Sequence, residues 1–213
     1  MKIIIINGSQ KTGESNTGII LDELNILFKS GHEIVNYKLG TKQLSSEELK
    51  NIVSFDVIIF GFPLFNDSIP SNMLKMIIEL ESYFANGKPK NITVYAIINN
   101  GFYEGKQTHI AFEVIQNWCE HCGVKFGGGI GQGAGEMIGA TKSIPIDSGP
   151  FRNLGRSLEL LANKVELKET FEIKYLSPYF PRFLWELMSK YTFWHPLAYK
   201  NKLNKKDIVK KIV

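Results

Sequence analysis

The chain has 213 residues, 44% of them hydrophobic, which is enough for one full core plus an appendage, and no long Pro/Ser linker divides it. Its net charge of +4 is uneven: residues 170–213 hold nine Lys/Arg against three acids, whereas residues 1–169 hold sixteen against eighteen. The body therefore lacks a basic stripe, which excludes a nucleic-acid reader. No apolar run approaches the roughly 18 residues of a membrane span, and the four isoleucines after Met1-Lys2 are too few for a secretory leader. Two cysteines make no disulfide framework. These features predict a cytoplasmic protein.

The first predicted strand, Lys2–Asn7, runs into Gly8-Ser9-Gln10-Lys11-Thr12-Gly13-Glu14-Ser15-Asn16-Thr17 and then into a helix over Ser15–Lys29. Glycines let such a backbone turn towards an anion, hydroxyls donate to its oxygens, and the helix start adds unpaired N–H groups. The loop nearly spells the triphosphate motif G-x-x-x-x-G-K-[ST], with Gly8, Gly13 and Ser15 in place, but Glu14 occupies the lysine slot. A carboxylate there repels phosphate by roughly 1 kcal/mol or more per close charge pair. No G-x-G-x-x-G run with a later acid signals a dinucleotide. A monophosphate held by hydroxyls and backbone is the remaining ligand; a Gly/Ser-rich turn that binds nothing is the alternative.

A strand at Glu33–Lys38 follows, then a helix over Ser46–Val53 opened by the capping signature Ser45-Ser46-Glu47-Glu48. The third strand, Asp56–Phe62, is almost wholly apolar, as is the fourth, Asn91–Asn99, and both read as strands buried on two faces. Between them lie the loop Gly61–Pro70 and a helix over Ser71–Phe84. In that loop Pro63 fixes φ and Phe62 is pushed towards extended geometry, so the N–H groups of Leu64, Phe65 and Asn66 are expected to point outward at a planar ring. Phe65 is either a stacking wall or a core residue. After the fourth strand, Asn99-Asn100-Gly101-Phe102-Tyr103-Glu104-Gly105 offers amides, two aromatics and a carboxylate, or is an ordinary turn. A helix over Gly105–Cys122, a strand Val124–Gly131 and a helix over about Gly149–Leu167 complete five βα units. The predicted class is α/β: a flavodoxin-like, doubly wound, five-stranded parallel sheet of order 2-1-3-4-5, whose ligands sit beyond the carboxyl ends of strands one and three.

Cys119-Glu120-His121-Cys122 lies at the end of a predicted helix rather than at the start of one, and one pair falls short of a zinc or cluster ligand set. It is read as structural, with no metal site. In the tail, Phe180, Phe183, Leu184, Leu187, Met188 and Tyr191 recur at helical spacing, and Phe193-Trp194-His195-Pro196 is expected to end that helix before a lysine-rich finish from Lys200 to Lys211. The chain is thus divided into 1–169, a ligand-binding body, and 170–213, a basic, aromatic helical extension. The extension has three destinations, in descending order: the body, a homodimer interface, or an anionic membrane surface.

The three loops together resemble those of the flavodoxin-like NAD(P)H-dependent FMN reductase and quinone reductase superfamily. Gly8-Ser9 with Ser15-Asn16-Thr17 is similar to its phosphate loop, Pro63-Leu64-Phe65-Asn66 to its ring-packing element, and Asn99-Asn100-Gly101-Phe102-Tyr103-Glu104 to the turn at the ring's polar edge. Gly127-Gly128-Gly129-Ile130-Gly131-Gln132-Gly133 is similar to its fifth-strand ending. The likeness spans about residues 1–140. It implies FMN as cofactor, with Ser9, Lys11, Ser15, Asn16 and Thr17 at the phosphate, Pro63, Leu64, Phe65 and Asn66 against the ring, and Asn99, Asn100, Gly101, Phe102 and Tyr103 along the pyrimidine side. It further implies NADH or NADPH as co-substrate, a small acceptor such as free flavin or a quinone, and no catalytic side chain; the two-sided apolar tail points to a homodimer. Two rivals stand beside this: a flavodoxin-type carrier without NAD(P)H turnover, and a non-catalytic module for a phosphate ligand.

Overall fold

The computed structural model describes residues 1–85 and 91–210. It divides into two compact units, Met1–Pro178 and Tyr179–Val213. The first is built on a parallel sheet of β1 (Lys2–Asn7), β2 (Glu33–Lys38), β3 (Val57–Pro63), β4 (Thr93–Asn99), β5 (Lys125–Gln132) and β6 (Lys174–Leu176), in the order β2-β1-β3-β4-β5-β6. The first five strands have the flavodoxin-like order expected from the sequence. The sixth is an addition: three residues pair with Ile130, Gly131 and Gln132 and cover what is otherwise an open edge. So short a strand leaves no periodicity to read.

Side-chain alternation along the strands sorts the core into two layers. Ile4, Ile6, Ile58, Phe60, Phe62, Val94, Ala96 and Ile98 face one side, where α2 (Ser46–Ile52), α3 (Ser71–Ala85) and α4 (His109–Cys122) pack. Ile3, Ile5, Val57, Ile59, Tyr95, Ile97 and Ile130 face the other, under α1 (Asn16–Leu27), α5 (Gly135–Ala140) and α6 (Arg152–Leu167). Helix α6 is held at its end by the Tyr95 hydroxyl, which donates to the carbonyls of Lys164 and Glu169 at 3.0 and 2.8 Å. Strand β5 takes its glycines from packing. A bulge opposite Val94 and Tyr95 sets Gly128 at φ +129°, and a side chain at Gly127 would strike the Tyr95 ring.

The capping signature before α2 is fully formed: the Glu48 N–H donates to Ser45 Oγ and the Ser45 N–H to Glu48 Oε2, at 3.2 and 2.8 Å. The predicted helix over Gly105–Cys122 begins as a 3-10 turn, Gly105–Thr108, before α4. Helix α5 was not expected from the sequence. Cys119 and Cys122 are free and buried in the last turns of α4. Burial raises both thiols, that of Cys122 to about 12 with help from Glu81, so neither is poised as a nucleophile.

In the second unit, α7 (Arg182–Met188), a π-helical turn (Ser189–Trp194) and α8 (His195–Lys200) follow without interruption. Phe193-Trp194-His195-Pro196 therefore does not end the helix as predicted. Pro196 lies at the start of α8 directly after the widened turn, and such a turn is one way a continuous helix passes a residue that has no N–H to donate. Lys211, the last lysine of the basic finish, lies outside the described residues.

Candidate functional site

Strand β1 delivers the first loop. The Gly8 N–H donates to the Gly61 carbonyl at 2.7 Å, which continues the β1–β3 ladder, and the Ser9 N–H closes an Asx turn on Asn7 Oδ1 at 3.0 Å. Gly8 is a packing glycine rather than an anion-facing one: an added Cβ would strike the Met73 side chain and crowd Phe62. Gly13 has open space around it. Asn72 of α3 donates to the Gly8 and Gly40 carbonyls at 3.1 and 2.5 Å, and Lys38 Nζ donates to the Thr12 and Gly13 carbonyls at 3.0 and 2.9 Å. These bonds pin the loop from both flanks. Glu14 turns out to an exposed ion pair with Lys142.

Ser15 is the N-cap of α1, accepting the Gly18 N–H at 3.0 Å while its own O–H stays free to donate. The N–H groups of Asn16 and Thr17 open the helix, where no intrahelical carbonyl can reach them. Thr17 does not use its hydroxyl as the sequence suggested. Its proton goes to Asn99 Oδ1, a buried bond of 2.6 Å that ties the first loop to the end of β4. Asn16 Oδ1 accepts the Gly139 N–H at 3.1 Å, and its amide lies 3.4 Å from Glu136 Oε2.

The loop after β3 is a tight hairpin. Phe65 and Ser68 exchange backbone bonds of 2.9 and 3.1 Å around Asn66 and Asp67, both left-handed at φ +48° and +60°, the pattern of a type I′ turn. The Phe65 N–H is consumed there, and the Leu64 N–H donates to the Asn99 carbonyl at 2.7 Å, so neither points outward as expected. The turn instead thrusts the Phe65 ring out, 60% exposed.

Ser9, Gln10, Lys11, Ser15, Asn16, Thr17, Pro63, Leu64, Phe65, Pro70, Asn99 and Glu136 line one open cleft of about 240 Å³. Of the residues singled out from the sequence, Asn66, Asn100, Gly101, Phe102 and Tyr103 are not in its wall. Asn100 is buried and structural: Oδ1 accepts the Phe102 N–H and Nδ2 donates to the Glu104 carbonyl, which shapes the turn, while the Tyr103 hydroxyl donates to the Pro178 carbonyl. Glu136 was missed. It follows the Gly133-Ala134-Gly135 bend after β5, and an acid in the first turn after glycines was the available signal. A larger cleft of about 370 Å³ lies on the far side of Gly13 and Ser15, against Leu21, Asp22 and Lys38. Only the first loop reaches it, so the cleft where loops converge is the candidate.

No family model and no curated protein sequence matches the chain. Among solved structures it is similar to an NADPH-quinone reductase from P. pentosaceus, with TM-score 0.58 and 14% identity over 76% of this chain and 98% of that one. It is also similar to an NAD(P)H:quinone oxidoreductase from Methanothermobacter marburgensis, with TM-score 0.55 and 13% identity over 78% and 96%. An FMN-dependent NADH-azoreductase from Bacillus anthracis, solved in complex with FMN, gives TM-score 0.51 and 14% identity over 78% and 99%. The chain has the flavodoxin-like α/β fold that these quinone reductases and this azoreductase also have.

Proposed function

We propose that the chain is an FMN-dependent oxidoreductase that takes electrons from NADH or NADPH and passes them to a small acceptor such as free flavin or a quinone. The carrying observation is one cleft with a polar, hydroxyl-lined end and an apolar, aromatic end, walled by the loops after β1 and β3, by Asn99 at the end of β4 and by Glu136 after β5. The residues fit the group. At the polar end, the Ser9 and Ser15 hydroxyls, the first N–H groups of α1 and the Lys11 charge suit a monophosphate, while the Glu136 carboxylate, also in the wall, meets the Asn16 amide at 3.4 Å. Glu14, paired outward with Lys142, offers nothing to a triphosphate. At the other end Pro63, Leu64 and the projecting Phe65 make a flat wall for a ring, with the Asn99 amide at the junction. A fold-level likeness to an azoreductase solved with FMN supports the same cofactor.

When bound, FMN supplies the hydride and electron chemistry. The chain's residues hold and orient it: the first loop anchors the phosphate, the Thr17–Asn99 bond holds two loops in register, and Phe65 covers one face. The test is to purify the protein, record its spectrum with and without added FMN, and follow NADH and NADPH oxidation with a panel of quinones, azo compounds and free flavins. Flavin uptake and NAD(P)H oxidation are expected. Colourless protein that takes up no FMN overturns the reading; FMN uptake without NAD(P)H oxidation assigns a flavodoxin-type carrier; phosphate-ester binding without flavin assigns a non-catalytic module.

A further inference from the structure

The extension Tyr179–Val213 is a unit whose chemistry the cleft does not use. Its sequence holds eight Lys/Arg against two acids, a net +6, whereas residues 1–178 hold seventeen against nineteen. No residue of α7 or of the π-helical turn is buried. Phe183, Leu187, Tyr191 and Trp194 recur along one helical stripe and stand open to solvent, Phe183 at 67% and Tyr191 at 57% exposure. Lys200, Lys202, Lys205 and Lys206 follow directly and are all exposed.

We propose that this segment docks on an anionic lipid surface, the helix lying in the plane of the bilayer with its aromatic stripe at the headgroup boundary and its lysines among the lipid phosphates. Three observations select that occupant. Charge complementarity is the first: a second copy would set +6 against +6, while anionic headgroups attract each near-surface lysine. The second is the kind of apolar residue, since Trp and Tyr beside Phe and Leu are the side chains that settle where an apolar body meets a wet rim. Third, the stripe and the lysines belong to one segment in which no residue of α7 or of the π-helical turn is buried, and no helix among the described residues is long and apolar enough to cross a membrane.

The experiment is co-sedimentation of the full-length chain with vesicles of phosphatidylcholine mixed with phosphatidylglycerol, and with vesicles of phosphatidylcholine alone, at low and high salt. Binding to the anionic vesicles at low salt is expected, weakening as salt screens the lysines. At about 1 kcal/mol per lysine, replacing Lys200, Lys202, Lys205 and Lys206 together by Gln lowers the partition coefficient by a factor on the order of several hundred. These exposed sites leave the fold intact, which circular dichroism checks. Phe183→Ser combined with Trp194→Ser weakens binding with the charge unchanged. Absence of co-sedimentation at low salt overturns the proposal, as does equal binding to neutral vesicles. So does a concentration-dependent dimer in analytical ultracentrifugation that Leu187→Lys abolishes while vesicles stay unbound, which assigns the stripe to a second copy of the chain.

Discussion

Thr17 and Asn99 join the first loop to the end of β4 through a buried 2.6 Å bond. Replacing Thr17 by Val keeps the shape and leaves Asn99 Oδ1 without a donor, which costs about 1–3 kcal/mol. Urea denaturation measures that loss, and FMN titration of the same variant should show weaker binding, because the two loops lose their register. Ser15→Ala acts differently, since it removes both the cap of α1 and a donor facing the cleft. Phe65 owes its exposure to the two left-handed residues after it, Asn66 and Asp67. Asn and Asp tolerate that conformation better than other side chains with a Cβ, so the projecting ring is a property of the turn and not of Phe65 alone.

Helix α2 illustrates how an element carries its own pH dependence. The Ser45 N–H, followed by Lys42, pulls the Glu48 carboxyl down from 4.5 to about 2. A depressed folded-state value means that the ionised carboxylate favours the fold. Its contribution is complete above about pH 4.5 and disappears as pH falls towards 2. Ser45→Ala removes the cap and costs about 1 kcal/mol. Glu48→Gln should flatten the fall in stability between pH 5 and pH 2, which denaturant melts across that range detect. Helix α1 begins differently. It carries no acid in its first turn, and the Glu136 carboxylate that meets the Asn16 amide in the cleft wall comes from α5.

At the scale of the whole molecule, a ligand that binds only the folded body stabilises it by mass action. FMN at a hundredfold excess over its dissociation constant adds about 2.7 kcal/mol, or roughly 5–10 °C in melting temperature for a chain of this size. Riboflavin, which lacks the phosphate, should give a much smaller shift if the first loop is the anchor, and thermal scans with each compound compare the two. The core of the body has two layers: isoleucines, valines and aromatics of the central strands face α2, α3 and α4 on one side and α1, α5 and α6 on the other. The charge of the chain is divided just as sharply, with an almost neutral body and a strongly basic extension.

Local patterns in the chain sufficed for the first five strands, their order, the cap of α2, and the approach of the loops after β1 and β3 to one rim. Apolar runs, period-2 and period-3.6 patterns and capping residues are local signals that survive without coordinates. Tertiary structure decided the rest. Strand β6 exists only because β5 offers an edge, and Gly8 is small because Met73 and Phe62 lie against it. The Thr17 hydroxyl serves Asn99, the Leu64 and Phe65 N–H groups stay within the protein, and Asn100 shapes its own turn. Which of several chemically able groups faces a ligand depends on partners from distant parts of the chain, 82 residues away for Thr17 and 120 for the Asn16–Glu136 contact. No local pattern encodes those separations.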